Sequence, residues 1–416
     1  MNNSSRNTSS TTIKKYKLTT PEQATINLQN VTWIDMLQSR HLGTFLQKLK
    51  RRRRIIEWSV GPVVEVNDGI DIFLLPMEGR SSQLVDLFLY GKVESTMGEN
   101  IVMLGWAKVA LALGCRRVVM FESHSDFVNY IDKKQRQVFI LDWMSLKDTR
   151  YALSSNDDDQ NDGLIQQTWQ FSYWGNEGLS YGPPTNHVIV PFNYTNYKDS
   201  PMENVRMGIL PTTVTMNHVS TNSSSSSHKK QQHCSVFFMG KSSEQVEEMK
   251  PLINAVEEKL KLHLSSSIDN SSQEEVTLCT GMNLPLGTTI DEYLGFPVFR
   301  TVNLGRTPPE IFARIVGSSR VVVGSGNPPA SPTIIDAIAG GSIFMAPSKQ
   351  FLSMEDHSLF VKTDNVFITQ DEQAEEIVRL LLEDAELKPF GGHVGTSYNI
   401  DSVCHQVLKI IEASIE

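Results

Sequence analysis

From residue 235 to residue 383 short apolar runs alternate with helix-length amphipathic segments, and few folds are open to such a chain. The apolar runs stand at 235–239, 276–279, 298–302, 320–323 and 342–346, and the helix-patterned stretches at 244–264, 308–316, 333–339 and 371–383. Strands that are continuous Val/Ile/Phe runs are buried on both faces, and the helices between them supply the crossovers of a parallel sheet. The pattern predicts a Rossmann-like α/β domain. The first half reads the same way less cleanly, with apolar runs at 70–75, 117–121 and 138–141 and a helix over 99–113, so a second α/β sheet is expected there.

A polar run divides the halves. Residues 219–233, VSTNSSSSSHKKQQH, have no apolar face to bury and read as a flexible linker. The expected organisation is a disordered segment over 1–29, a Rossmann-like domain over 30–218, the linker, a second Rossmann-like domain over 234–395, and a helix over 396–416 that crosses back to the first domain. At about 150 residues per domain, 416 residues suit such a plan, and 40% hydrophobic with 20% charged residues is ordinary globular composition.

Charge narrows the partners. A net charge of −9, from 38 basic against 47 acidic residues, argues against a nucleic-acid binder, which needs a clustered basic face. The basic run at 48–54, KLKRRRR, is read as an exposed face before a strand, and NDDDQNDG at 156–163 as a solvated loop without the ligand order of a calcium site. No apolar stretch approaches the length of a membrane span, and the first residues carry no apolar signal core, so neither anchor nor signal is visible in this chain. Four cysteines, Cys115, Cys234, Cys279 and Cys404, lack the spacing of a zinc site or a dense disulfide scaffold. Glycosylation triplets recur, at Asn7, Asn30, Asn193, Asn222 and Asn270 among others, and are usable only in a secretory lumen.

The chemistry concentrates in residues 320–341, RVVVGSGNPPASPTIIDAIAGG, a buried strand, a Gly/Pro/Ser turn and a helix. Gly324 and Gly326 let backbone approach a ligand at the carboxyl edge of a parallel sheet, and the following helix directs free amides at bound anions. Asp336, a turn into that helix, can accept hydrogen bonds from two ribose hydroxyls, and the ammonium of Lys349 can neutralise a departing diphosphate without a metal. The plainer alternative is a tight turn with a solvated carboxylate.

The stretch 304–351 resembles the donor-site segment of glycosyltransferase family 18, the mannosyl-glycoprotein 6-beta-N-acetylglucosaminyltransferases. The family's strand, Gly-x-Gly turn, x-Pro spacing and acidic-Ala-Ile-Ala-x-Gly helix fall on Val323, Gly324, Gly326, Pro328, Pro332, Asp336, Ala337, Ile338, Ala339 and Gly341. Its donor-site lysine matches Lys349, and Phe238, Met239, Gly240 and Lys241 resemble its first Gly-Lys strand end. Met97, Gly98 and Glu99 are similar in spacing to the segment that carries the family's catalytic base, although a helix-start Glu is also what the helix dipole alone favours. The chain departs from the family pattern at Ala330, where the family has an acidic residue, and at Ser342, where it has a cysteine; no disulfide partner for Cys404 is evident.

The resemblance implies a GT-B fold, two Rossmann-like domains with an interdomain cleft, the first for the acceptor and the second for the nucleotide sugar. It implies inverting, metal-independent transfer of N-acetylglucosamine from UDP-N-acetylglucosamine to the 6-hydroxyl of a mannose in an N-glycan, in the Golgi lumen. Glu99 is the expected base, and Gly240, Lys241, Gly324, Gly326, Pro332, Asp336 and Lys349 the expected donor-binding residues, with no metal and no cofactor beyond the donor substrate. Two alternatives stay open: a GT-B protein that binds nucleotide sugar or glycan without turnover, and a transferase with another donor or acceptor. Trp169, Phe171, Tyr173 and Trp174 read either as a sugar-stacking platform or as core, and His124 and His187 as structural histidines.

Overall fold

The apolar runs named above have no polar face to turn to water, and each contributes a strand to a parallel sheet. The computed structural model describes residues 18–30, 55–58, 70–75, 98–121, 127, 137–142, 169–171, 187–190, 203–206, 208–215, 234–240, 243–266, 276–282, 284–305, 307, 309–324, 332–345, 370–382 and 400–415. The chain divides into two units, Met1–Ser223 with Thr396–Glu416, and Ser224–Gly395. Both are α/β, the class expected from the alternation of runs.

In the first unit the elements are α1 (Pro21–Asn30), β1 (Ile55–Trp58), β2 (Asp71–Leu75), α2 (Gly98–Ala112), β3 (Arg117–Phe121), β4 (Gln137–Asp142), β5 (Trp169–Phe171), β6 (His187–Val190), β7 (Glu203–Arg206) and the short α3 (Thr212–Thr215). The chain's last helix, α9 (Ile400–Ile415), belongs to the same unit. The sheet runs β1-β3-β2-β4-β5-β6-β7, parallel except for β1, which pairs antiparallel with β3. Helix α2 runs back to the start of β3 through Gly114, at φ 97°, so its first turn lies toward the carboxyl edge of the parallel strands. That turn carries Glu99. Asp71, fully buried at the start of β2, receives Arg116 Nε at 2.7 Å and Arg117 Nε at 2.9 Å, which ties the α2–β3 turn to the sheet.

Residues 21–30 correct the expectation of a disordered start. They form α1, with Ala24 and Leu28 fully buried, and the physical reason lies at the end of α2. The last carbonyls of a helix have no partner inside it. Here Thr19 N–H donates to Leu113 O at 2.9 Å, while Thr19 Oγ1 and Asn27 Nδ2 donate to Ala112 O at 3.1 and 3.2 Å. Helix α9 then packs on α1 and α2: Thr25 Oγ1 donates to Asp401 Oδ1 at 3.3 Å, Trp169 Nε1 to Ser414 Oγ at 2.7 Å, and the backbone of Gly208 to Gln406 Oε1 at 2.6 Å.

The second unit contains β8 (Val236–Phe238), α4 (Ser243–Ser266), β9 (Leu278–Thr280), α5 (Ile290–Leu294), β10 (Thr301–Asn303), α6 (Pro309–Ser318), β11 (Val321–Val323), α7 (Pro332–Gly340), β12 (Ile343–Met345) and α8 (Gln370–Leu382). Successive strand residues face opposite sides of the sheet. Val236, Phe238, Leu278, Val321, Val323 and Met345 join the core formed with α4 and α8, while the intervening Phe237, Val322 and Phe344 are buried on the other side, where Phe237 meets Phe312 of α6 edge to face at 5.3 Å. The apolar run at 298–302 pairs only from Thr301 onward. Glu257, a buried carboxylate on α4, takes the backbone N–H groups of Phe299, Arg300 and Thr301 at 3.1, 3.0 and 2.8 Å, and so fixes the entry to β10.

Helix α2 is buried from Ile101 to Leu113, Lys108 included. The Lys108 ammonium donates to Val214 O, a carbonyl of α3, at 2.5 Å, and burial pulls its pKa down from 10.5 to about 8. A depressed lysine disfavours the folded state while it is charged. Stability therefore rises with pH between about 8 and 10.5, where the unfolded chain still holds the proton and the folded chain has shed it, by about 3 kcal/mol in all. Lys108→Met is expected to be more stable than the wild type at pH 7 and to lose that alkaline rise, measured by denaturant unfolding at a series of pH values.

Candidate functional site

The five strands among the described residues of the second unit are all parallel, in the order β10-β9-β8-β11-β12. The chain starts at the centre with β8, steps outward to β10, and then crosses back over to β11. Where the direction of winding reverses, the connections leave the two neighbouring strands on opposite faces and open a crevice at their carboxyl ends, where ligands of such sheets bind. That switch point lies between β8 and β11.

Two buried glycines flank it. Strand β8 leaves through Met239 and Gly240, strand β11 through Gly324. Met239 N–H donates to Val323 O at 2.9 Å and Gly324 N–H to Met345 O at 3.1 Å, so the ladder holds to the very edge. Beyond Gly324 the chain enters α7 at Pro332, a residue whose fixed φ suits the first position of a helix. Asp336, a turn further on, is 6% exposed. The structure thus brings Gly240 and Gly324 to adjacent strand ends and sets Pro332 and Asp336 on the helix that follows, while Glu99 stands on α2 in the other unit. Lys241, Gly326 and Lys349 lie outside the described residues, as do Ala330, His124, Tyr173 and Trp174.

The seat of α7 is unusually tight. A Cβ added to Gly340 would stand 2.2 Å from Cα of Gly317 in α6, and one added to Gly317 would stand 3.2 Å from the carbonyl oxygen of Asp336. The two helices meet backbone to backbone. Next in sequence, Gly341 has φ 89°, and Ser342 N–H returns to Ala337 O at 2.9 Å, a Schellman ending that costs a glycine nothing. Each glycine of the Gly340-Gly341 pair answers to its own physical demand, close approach and left-handed backbone. Ser342 Oγ donates to Val316 O at 2.7 Å, which locks the end of α7 to α6 again.

Three features of the site went unread in the sequence. Cys234 and Cys279 form a disulfide, with Cα atoms 5.7 Å apart, that joins the approach to β8 to β9; spacing alone does not single out this pair. Glu257 falls on the apolar stripe Ile253, Val256 and Leu260 of α4, and that misplacement was the signal available. Asn303 ends β10 with an amide that reaches across to Met282 beyond β9, and nothing in its sequence context marks it. Of the aromatic group, Trp169 and Phe171 are core: both are buried, and Phe171 stacks edge-on against Trp106 at 4.9 Å. Among the described residues no group of three or more His, Cys, Asp or Glu side chains is placed to hold a metal ion, and no helix is long and apolar enough to cross a membrane.

No family model and no curated protein matches this chain. Solved structures match it in part. UGT71G1 from Medicago truncatula, complexed with UDP-glucose, is 10% identical over 85% of this chain and 100% of its own, with a TM-score of 0.44. The UDP-GlcNAc 2-epimerase from Neisseria meningitidis bound to UDP-GlcNAc is 9% identical over 82% of this chain and 98% of its own, at 0.40. MnaA from S. aureus, solved with UDP, is 9% identical over 82% and 94%, at 0.41. Likeness at these scores carries no weight for function, which rests on the chain's own residues.

The contact between α6 and α7 yields a direct test. Gly340→Ala is expected to lower the unfolding free energy by about 1–3 kcal/mol or more, since backbone and not a flexible side chain must give way. Gly305→Ala, where φ is 63° but nothing lies within 4 Å, is expected to cost less, and chemical denaturation of both variants measures the difference.

Proposed function

We propose that this protein is a nucleotide-sugar-dependent glycosyltransferase whose second unit binds the donor. The observation that carries the reading is the position of Gly240 and Gly324 on either side of the β8/β11 switch point, with a helix entered from the second of them. Glycine on both sides leaves no side chain between the strand ends and a diphosphate, and the α7 dipole favours the negative charge. In this reading Lys241 and Gly326 complete the phosphate cradle, Asp336 accepts the ribose hydroxyls, and Lys349 neutralises the leaving diphosphate without a metal.

The finer specificity is supported by the residue-by-residue resemblance to glycosyltransferase family 18. On it, the donor is UDP-N-acetylglucosamine, the acceptor the 6-hydroxyl of a mannose in an N-glycan, and the outcome inversion. The carboxylate of Glu99 removes the acceptor proton as the oxygen attacks the anomeric carbon; the bond to the diphosphate breaks on the opposite face. A Golgi-type lumen is favoured by the disulfide, because such bonds persist in oxidising compartments, and by the glycosylation triplets.

Glu99→Gln is expected to reduce transfer to a biantennary glycan by about 10²–10⁴-fold while UDP affinity stays at the wild-type value. Full activity in that variant removes Glu99 from the mechanism, and a wild-type chain that fails to bind UDP in calorimetry removes the nucleotide site. Peptide mapping without reduction is expected to find Cys234 joined to Cys279 and to find Cys115 and Cys404 as thiols that alkylate only after unfolding. Burial pushes the Cys404 thiol up to about 11 and the Cys115 thiol higher still. Reduction is expected to lower stability by up to about 4 kcal/mol, the loop-closure value for a separation of 45 residues.

A further inference from the structure

Strand β10 is an edge strand of three residues, and its exit is held by a side chain. The ladder with β9 ends where Asn303 stands opposite Thr280. Leu304 N–H still donates to Thr280 O at 2.8 Å, and past that bond the Asn303 amide keeps the two chains together. Its Oδ1 accepts from Met282 N–H at 2.9 Å, from Thr280 Oγ1 at 3.1 Å and from Gly305 N–H at 3.2 Å, and its Nδ2 donates to Met282 O at 3.1 Å. One amide therefore reads both main-chain groups of Met282 and also fixes the turn at Gly305.

The segments so fixed lie at the carboxyl edge and carry one glycine each, Gly281 and Gly305. Gly281 is lined by Phe237 and the carbonyl of Gly305, with its missing Cβ 3.4 and 3.9 Å from them, and Gly305, at φ 63°, faces open space. Strands β9 and β10 lie one and two places from β8, within about 10 Å of the switch point at ordinary strand spacing. The edge that meets the diphosphate in the proposed function thus continues into two segments whose course Asn303 sets.

We propose that Asn303 is a positioning residue for the donor: it holds the Gly281–Met282 and Leu304–Gly305 peptides in the arrangement that a bound nucleoside diphosphate contacts. The proposal rests on the nucleotide reading above. It distinguishes Asn303 from Glu257, which clamps the same strand at its other end, away from the carboxyl edge, and serves the fold alone.

The test is calorimetric titration of the full-length chain with UDP, together with donor kinetics. Asn303→Ala is expected to weaken UDP binding roughly tenfold and to raise the donor KM with kcat largely kept, as loss of a supporting contact does. Asn303→Asp retains an acceptor for the three donors but sets a carboxylate oxygen against Met282 O and a negative charge near the diphosphate, so its loss is expected to be at least as large. Glu257→Gln is expected to lower the unfolding midpoint and leave UDP affinity unchanged. If Asn303→Ala folds and binds UDP within twofold of the wild type, or if Glu257→Gln weakens UDP as much, the positioning role is overturned. Should the Ala variant fail to fold, the uncharged Asn303→Ser variant decides by the same twofold criterion. A wild-type chain that does not bind UDP overturns the nucleotide reading and this proposal with it.

Discussion

Every strand of the second unit is three residues long, and a sheet of such strands cannot stand on its ladder alone. Each pair exchanges only a few hydrogen bonds, each of small net worth. Burial on both faces supplies the rest. Val236 and Phe238 lean into α4 and α8, Phe237 into α6, and the same alternation repeats in β11 and β12. The covalent bond between Cys234 and Cys279, the Glu257 carboxylate at the entry to β10 and the Asn303 amide at its exit then hold the strands that have least neighbouring structure. A parallel arrangement is forced by the helices between the strands, and the carboxyl edge with its switch point follows from it.

This dependence explains how much was legible beforehand. Runs such as VFF and VVV, with amphipathic segments between them, announced the five strands of the second unit and the helices α4, α6, α7 and α8, because two-faced burial writes itself as uninterrupted apolar residues. The strands β5 to β7 of the first sheet were illegible for the converse reason. In β7, Glu203 to Arg206 contains one apolar residue, and β5 and β6 are short and set in polar surroundings, so their pairing rests on neighbours distant in the chain. Helix α1 escaped too. Its sequence PEQATINLQN has a weak apolar stripe, and what orders it is the set of unpaired carbonyls at the end of α2, a tertiary cause.

The site divides along the same line. Glycines at strand ends, Gly240 and Gly324, could be named from their place after an apolar run, since only the local succession of strand and turn is needed. The side chains that hold the two ends of β10, Asn303 and Glu257, act across 21 to 44 residues of intervening chain, and a single sequence does not show which distant peptide an amide or carboxylate will meet. Lys108 is similar: an apolar helix with one lysine suggests a solvated end of the side chain, whereas here the amine finds a carbonyl of α3 and remains inside.

The docking of α9 beside α1 has a bearing on biosynthesis. The core of the first unit includes Val403, Cys404, Val407 and Ile411 from the chain's closing stretch, whereas all of the second unit lies upstream of them. A ribosome therefore releases everything the second unit requires while the first still lacks one wall. The later half of the chain is free to mature as an inserted body during translation, and the earlier half is sealed only once α9 has emerged.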